Sequence, residues 1–409
     1  MVQPGRRGTN LPRMGDYNQR VVLDQIRRSR AGVSRVELVA ATGLSAQTIS
    51  NVVTRLVELG LVVEGDRQIL GRGKPRTMLH LRAGAGFALG AHIDPVLVTL
   101  ALVDLTGAVR VQSVVETPFG PDAAVAVIAQ QVAELIEAAG VDRSQILGFG
   151  VAAPGPIDAD RGHVIHPPLL AGWGDYPLRD RVAQATGFET VIEKDVSAAM
   201  AAELWQGQHN LAGTTLFAYL GFGIGFAFSR HGELLPGTSR NAGEIGHLIV
   251  DADGPQCDCG NRGCIGVSAS LATLVGEAVD AEVFPADTPR ETPRELDAGM
   301  AALVAAGAEG NEAAIEILAT SARRIAHGIM VVADLLDADH VVFGGVNGDR
   351  LEPYLLEAAS TEFSSHASLR ELHGVGVGGS AVGTWVGAVG AASIVLDAAF
   401  TPKASTLVE

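Results

Sequence analysis

The chain has 409 residues with 47% hydrophobic and 19% charged positions, few aromatics and a net charge of −16. That excludes a disordered low-complexity protein, and taken whole it argues against a nucleic-acid-binding surface. The apolar run from Leu216 to Phe228 is glycine-interrupted and too short to cross a bilayer. The basic N-terminus lacks the apolar stretch and cleavage site of a signal peptide. The three cysteines cannot all pair with one another, and cytosolic chains rarely keep disulfides. A cytoplasmic protein without a membrane partner is expected.

The charge is unevenly distributed. Residues 1–82 carry an excess of +8 and the remainder −24, a small basic head on a large acidic body, so nucleic-acid contact is expected of the head alone. From Asn18, YNQRVVLDQIRRSR puts Val21, Val22 and Ile26 on one helical face, with Arg27, Arg28 and Arg30 near its end. Ser34 with Glu37 forms a capping box for a second helix that stops at Gly43. Ser45 caps a third, whose buried stripe is Ile49, Val52, Val53, Leu56 and Leu59. This is a helix-turn-helix. Ser45, Gln47, Thr48, Ser50 and Asn51 are short polar groups for base edges, and Arg55 suits a phosphate. LVVEGDRQIL reads as a wing hairpin turning at Gly65-Asp66. The GRGKPR segment after it offers Arg72 and Lys74 to a minor groove. A winged helix-turn-helix on double-stranded DNA implies a two-fold operator and a dimer.

The body alternates strands and helices. Three antiparallel strands are expected from Phe87 to Glu116, with turns at Asp94-Pro95 and Thr106-Gly107, then a helix from Ala123 to Ala139. ILGFGVAAPGPID gives a buried strand and a Gly/Pro loop, and a second round of elements follows. The acidic stretch Glu282 to Asp297 reads as a loop insertion.

The body carries VAAPGPID, NAGEIGHL, CDCGNRGC, VVFGGV and GAVGAAS. On these motifs, from about Gly90 to Asp397, it resembles the ROK family of repressors, open reading frames and kinases; with the winged head, the chain resembles its repressor branch. The resemblance implies an α/β protein. A winged helix-turn-helix (1–82) precedes a two-lobed, ribonuclease-H-like body of the sugar-kinase type. Its small α/β lobe is 83–195. The larger lobe, 196–409, holds a metal loop, and its C-terminal helix returns to the small lobe. It also implies a transcriptional regulator, a repressor forming a homodimer or a dimer of dimers on a palindromic operator, with a sugar-derived effector. A sugar kinase with an appended DNA-binding head, or a ligand-independent DNA-binding dimer, are the alternatives.

All three cysteines lie in CDCGNRGC, with His247 ten positions before Cys257. Three thiolates and an imidazole close a tetrahedral zinc site that leaves no position for water, which makes it structural. Cys-x-Cys is not the spacing of a thioredoxin-like redox pair. The resemblance makes His247, Cys257, Cys259 and Cys264 the ligands of one structural zinc per chain. It leaves the second ring nitrogen of His247 for a sugar hydroxyl.

Kinases of this family cradle phosphate in two glycine-rich loops. Here the first reads DPVLVT, with Pro95, Val96 and Leu97 in place of small residues; Pro95 also removes an amide donor. The second reads GFGIG, with Phe222 where a hydroxyl belongs. No enzyme activity is therefore expected, although Asp195 matches the kinases' catalytic base and also suits a helix N-cap. Asp195, Glu244 and His247 match the family's sugar ligands, and Gly155 of VAAPGPID is placed at the same pocket. Lys194 stands at an Asn position, Gly266 at a Glu position, and Leu169 near a further Asn position. Two substitutions toward positive charge lead to the expectation of an anionic effector, the competing reading being that Lys194 pairs with Glu193 or Glu244.

Overall fold

A computed structural model describes residues 11–68, 75–206, 213–365 and 374–402. The head begins with α1 (Leu11–Arg28), which starts well before the expected Asn18. A two-residue strand β1 (Val33–Ser34) leads into α2 (Arg35–Thr42). Ser34 and Glu37 form the reciprocal capping box, and α2 ends on a left-handed Gly43. Helix α3 (Ala46–Glu58) is capped by Ser45 and buries Ile49, Val52, Val53 and Leu56 against Val22, Leu23, Ile26 and Leu38. Leu59, expected in that stripe, is 58% exposed.

The wing differs from expectation. β2 (Val62–Gln68) runs straight through Gly65-Asp66 and pairs with β3 (Arg76–Leu81), with an irregularity between Glu64 and Arg67. Gly65-Asp66 is thus a bulge within β2 and not the hairpin turn. Gly in a strand marks bulges as well as turns.

The body holds two five-stranded sheets of one topology. In the first, β4 (Phe87–Ile93), β5 (Leu97–Asp104) and β6 (Val109–Glu116) form an antiparallel meander. Parallel strands β7 (Ile146–Ala153) and β11 (Thr190–Lys194) extend it beyond β4. Between them lie α4 (Pro121–Ala139), a small sheet of β8 (Ile157–Asp158), β9 (His163–Ile165) and β10 (Asp175–Tyr176), and α5 (Leu178–Thr186). The second sheet repeats the order with β12 (Thr214–Leu220), β13 (Ile224–Arg230), β14 (Glu233–Leu234), β15 (His340–Gly344) and β16 (Gly376–Gly379). Its outer face packs on the helical layer of α8 (Leu271–Asp280), α9 (Pro293–Ala308), α10 (Glu312–Leu336) and α11 (Val346–Ser365); the four-residue α7 (Ile265–Ser268) precedes them. The stretch read as a loop to Asp297 already contains the start of α9. Thr292 and Glu295 make a capping box there, with Pro293 in the first turn.

Between the sheets lie α6 (Asp195–Gln206) and α12 (Val386–Phe400). The segment Gly383–Phe400 is long and apolar enough to cross a membrane, but it is mostly buried in the protein's own core. Glycines set this packing. A Cβ at Gly90 or Gly150 would collide with the carbonyl oxygens of Ala388 or Ala391, and one at Gly390 with that of Ala198. The backbone of α12 therefore rests directly on β4, β7 and α6. Gly150→Ala is expected to destabilise the protein by about 1–3 kcal/mol. Gly276→Ala, whose added Cβ would meet nothing within 4 Å, is expected to be neutral or mildly stabilising. Urea unfolding followed by circular dichroism measures both.

Candidate functional site

The cysteine motif folds as a knuckle. The Cys257 amide donates to Asn261 O (2.8 Å), Gly260 N–H to Cys257 O (3.0 Å) and Gly263 N–H to Pro255 O (2.9 Å). The Gln256 side-chain amide donates to the carbonyls of Cys257, Gly260 and Asn261, gathering the loop around one group. These bends bring His247 Nδ1 within 3.5 Å of Cys257 Sγ, and Cys259 Sγ within 3.6 Å of Cys264 Sγ. All four ligand atoms lie within 4.8 Å of one another. A tetrahedral ion with sulfur ligands at ~2.3 Å requires ligand separations of roughly 3.8 Å, so the donor set fits a metal ion. The Asn261 amide draws the Cys259 thiol down to about 7, while burial pushes Cys264 up to about 12.

The knuckle is joined to the preceding segment by a short ladder. Val250 N–H donates to Gly263 O, Ile265 N–H to Leu248 O and Gly266 N–H to Gly246 O. A Cβ at Gly266 would stand 2.9 Å from Gly246 O. The ladder has closed over the position where the resemblance expects a glutamate. The knuckle of His247 and the three cysteines is thereby tied to the backbone that follows Glu244.

Glu244 lines a cleft of about 120 Å³ between the two sheets, together with Gly155, Lys194 and Asp195. Leu169 and Phe222 also line it. His247, expected both among the metal ligands and at this cleft, stands with the three cysteines and is not among the residues that line the cleft. Lys194 is 3% exposed, and its Nζ lies 2.5 Å from Glu244 Oε1. That ion pair removes the free cation on which an anionic effector depended. With Asp94 and Asp195 also lining the cleft, its charge balance disfavours an anion. Burial raises the Asp195 carboxyl above the ordinary carboxylate range, offset by His92, the Val196 amide and Lys194.

Two further links cross the cleft beside Lys194–Glu244. Asn241 accepts from Ile157 N–H (2.8 Å) and donates to Ile157 O (2.7 Å), while Arg240 pairs with the buried Glu193. Sequence reasoning missed these partners, although Asn241 opens the quoted NAGEIGHL. It also missed His92 and Tyr219, whose buried rings meet edge-to-face in the cleft; His92 lies two residues before Asp94 in a strand pattern that reads as core.

The two loops matched to phosphate cradles occupy equivalent positions, at the β4–β5 and β12–β13 turns. In the first, Asp94 Oδ1 accepts the amides of Val96 (2.7 Å) and Leu97 (2.8 Å). Pro95 has no amide to offer. In the second, Gly221 N–H is turned onto Gly223 O (3.0 Å), and Phe222 packs against the second-lobe core.

On the head, Gln47, Ser50, Asn51 and Arg55 are exposed on α3. Gln47 Nε2 donates to Asn51 Oδ1 (3.0 Å), and the Ser45 and Thr48 hydroxyls are 2.9 Å apart. The Ser45 hydroxyl also accepts the Thr48 amide (3.1 Å) as the cap of α3, while the side chains of Gln47, Ser50, Asn51 and Arg55 face outward. Arg72 and Lys74 lie outside the described residues.

The chain matches the ROK family over residues 93–398 and the MarR family over residues 10–68. It is 26% identical over 340 residues to a putative xylose repressor of Caldicellulosiruptor sp. (strain Rt8B.4), covering 80% of this chain and 81% of that one. It is 28% identical over 258 residues to a glucokinase of Halalkalibacterium halodurans, covering 61% of this chain and 76% of the relative. Among solved structures, a ROK family transcriptional regulator described as a homolog of the E. coli MLC protein superposes with a TM-score of 0.72. The match has 20% identity and covers 94% of this chain and 97% of that one, a likeness of fold. A ROK glucokinase from Streptomyces griseus, solved with glucose and AMPPNP, gives 0.64 at 26% identity over 76% of this chain and 99% of its own. With its ROK match spanning most of its length behind a MarR-type winged helix, the chain belongs to the ROK family.

Proposed function

We propose that the chain is a sequence-specific DNA-binding transcriptional repressor, acting in the cytoplasm as a homodimer on a palindromic operator. Its ROK body is a zinc-stabilised sensor of a neutral sugar or sugar derivative and transfers no phosphoryl group. The observation that carries the DNA-binding reading is the outward polar face at the start of α3, beside a wing and preceded by a capped helix. Short donors and acceptors there can reach base edges in a major groove. Relatives named xylose repressor, from Caldicellulosiruptor and from Bacillus subtilis, support it.

The absence of kinase chemistry is supported by the loop geometry. Phosphoryl transfer needs free backbone amides converging on the nucleotide. At the first turn those amides are bound to Asp94 Oδ1, and at the second a phenyl ring replaces a hydroxyl. The neutral-ligand reading follows from the Lys194–Glu244 pair. Glu244 remains 61% exposed and can accept from a hydroxyl, whereas a phosphate would meet the carboxylates of Asp94 and Asp195. Zinc is favoured for the cluster because three sulfur donors and one imidazole make a closed, soft tetrahedral set.

In binding assays with duplexes selected in vitro by the full chain, Asn51→Ala or Gln47→Ala is expected to cost about 1–3 kcal/mol on the selected sequence, with far less effect on random DNA. Arg55→Ala is expected to weaken both alike and lower the salt-dependence slope by about 1. Equal losses on all sequences from all three variants would contradict base readout by α3. With ATP and D-glucose or D-xylose, no ADP should form; turnover would restore the kinase reading. Elemental analysis should find about one zinc per chain, and Cys264→Ser should lose the metal and lower the melting temperature. Full stability without metal would contradict a structural zinc.

A further inference from the structure

Helix α6 has one end in the cleft and the other at the head. Its first residue, Asp195, lines the cleft and accepts from the Val196 amide at 2.7 Å. Twelve residues make it about 18 Å long. The last carbonyls of a helix have no partner within it and carry the negative end of the dipole, so a cation there is favoured. Arg27, at the end of α1 in the head, supplies that cation. Its Nη1 donates to Leu204 O (2.9 Å) and Trp205 O (2.7 Å), and its guanidinium carbon lies 4.5 Å from the centre of the Trp205 ring.

The rest of the Arg27 guanidinium is bound to the head itself. Nε and Nη2 donate to Asp24 Oδ1 at 3.0 and 2.6 Å, and the side chain is 7% exposed. Arg27 is thus a planar fork with one side fixed in the head and the other on α6. Trp205 is held in turn by its indole N–H on Leu105 O (3.3 Å), and Gln206 by Gly107 O (3.1 Å). The neighbouring α12 ends beside this contact, where Phe400 packs with both the head core and the inter-sheet core. No flexible linker separates α6 from the head: the contact is a hydrogen-bonded, buried joint.

We propose that α6 is the rigid link between the cleft and the DNA-binding head, and that Arg27 is the positioning residue that couples them. A shift of the helix at Asp195 moves the Leu204 and Trp205 carbonyls, and Arg27 carries that shift into α1 and so into the orientation of α3. The proposal rests on the reading of the chain as a DNA-binding sensor. Arg27 itself, directed into the protein, has no part in touching DNA; in the sequence it stands with Arg28 and Arg30 near the end of the first helix, where cations suit that helix's own dipole.

The test is the affinity of the full-length chain for a duplex selected in vitro, with the cleft perturbed in two ways. One is addition of D-xylose or D-glucose; the other is Asp195→Asn. In the wild type either perturbation is expected to change affinity by about tenfold, within the usual range of coupling between sites. In Arg27→Gln the same perturbation should change it less than about twofold, while the variant still binds the duplex. Arg27→Lys, which keeps a cation but cannot bridge Asp24 and both carbonyls, should give an intermediate coupling; it carries the test if Arg27→Gln does not fold. If the sugars are silent but the Asp195→Asn effect is present and lost in Arg27→Gln, the link stands and the sugar-sensor reading fails. Undiminished responses in the Arg27 variants, or a wild type that answers neither perturbation, overturn the proposal.

Discussion

Everything in this molecule depends on how closely α12 lies against its neighbours. Its carbonyls occupy the space that a Cβ at Gly90 or Gly150 would fill, and its own Gly390 admits the Ala198 carbonyl of α6. Contacts at that distance leave no room for sliding, because overpacking by even one methyl must move backbone. The two helices therefore behave as one element clasped between two sheets of identical strand order. One of them starts in the cleft and both end at the head. This arrangement gives the cleft and the winged-helix head a shared mechanical part, which a flexible linker would not provide.

A transcriptional regulator and a glucokinase are both among the solved structures similar to this architecture. In this chain the β4–β5 turn closes on its own Asp94, and the β12–β13 turn carries a phenyl ring. What remains of the cleft is bridged by Lys194–Glu244, Asn241–Ile157 and Arg240–Glu193. The cysteine knuckle supports one side of this bridge, since its ladder fixes the backbone from Gly246 to Val250 next to Glu244.

Local signals in the sequence were reliable where the chemistry is local. The Ser34–Glu37 capping box, the Gly43 stop and the Ser45 cap are each decided within a few residues, and the structure has all three. The spacing of His247 and the three cysteines foretold their clustering for the same reason: a short glycine-bearing loop can only turn back on itself. Misreadings arose where two local signals compete. Gly65-Asp66 suits a hairpin turn and a bulge equally, and pairing of β2 with β3 on both sides of it makes it a bulge. At Thr292–Glu295 a capping box was present inside a stretch read as loop. Long-range partners were legible at most as alternatives. Pairing of Lys194 with Glu193 or Glu244 stood against an anion-binding role, and the choice of Glu244, fifty positions later, depends on which lobe faces which. That Arg27 turns inward to α6 rather than outward to DNA depends on the docking of the head, which no periodicity within α1 encodes.

The most direct measurement of the central claim is deuterium uptake along residues 195–206, compared between the free chain and its complex with a selected DNA duplex. If the head and the cleft share α6, binding DNA at α3 should change exchange throughout that helix, including its cleft end around Val196 and Ser197. Protection confined to the head, with α6 exchanging identically in both states, would contradict the account.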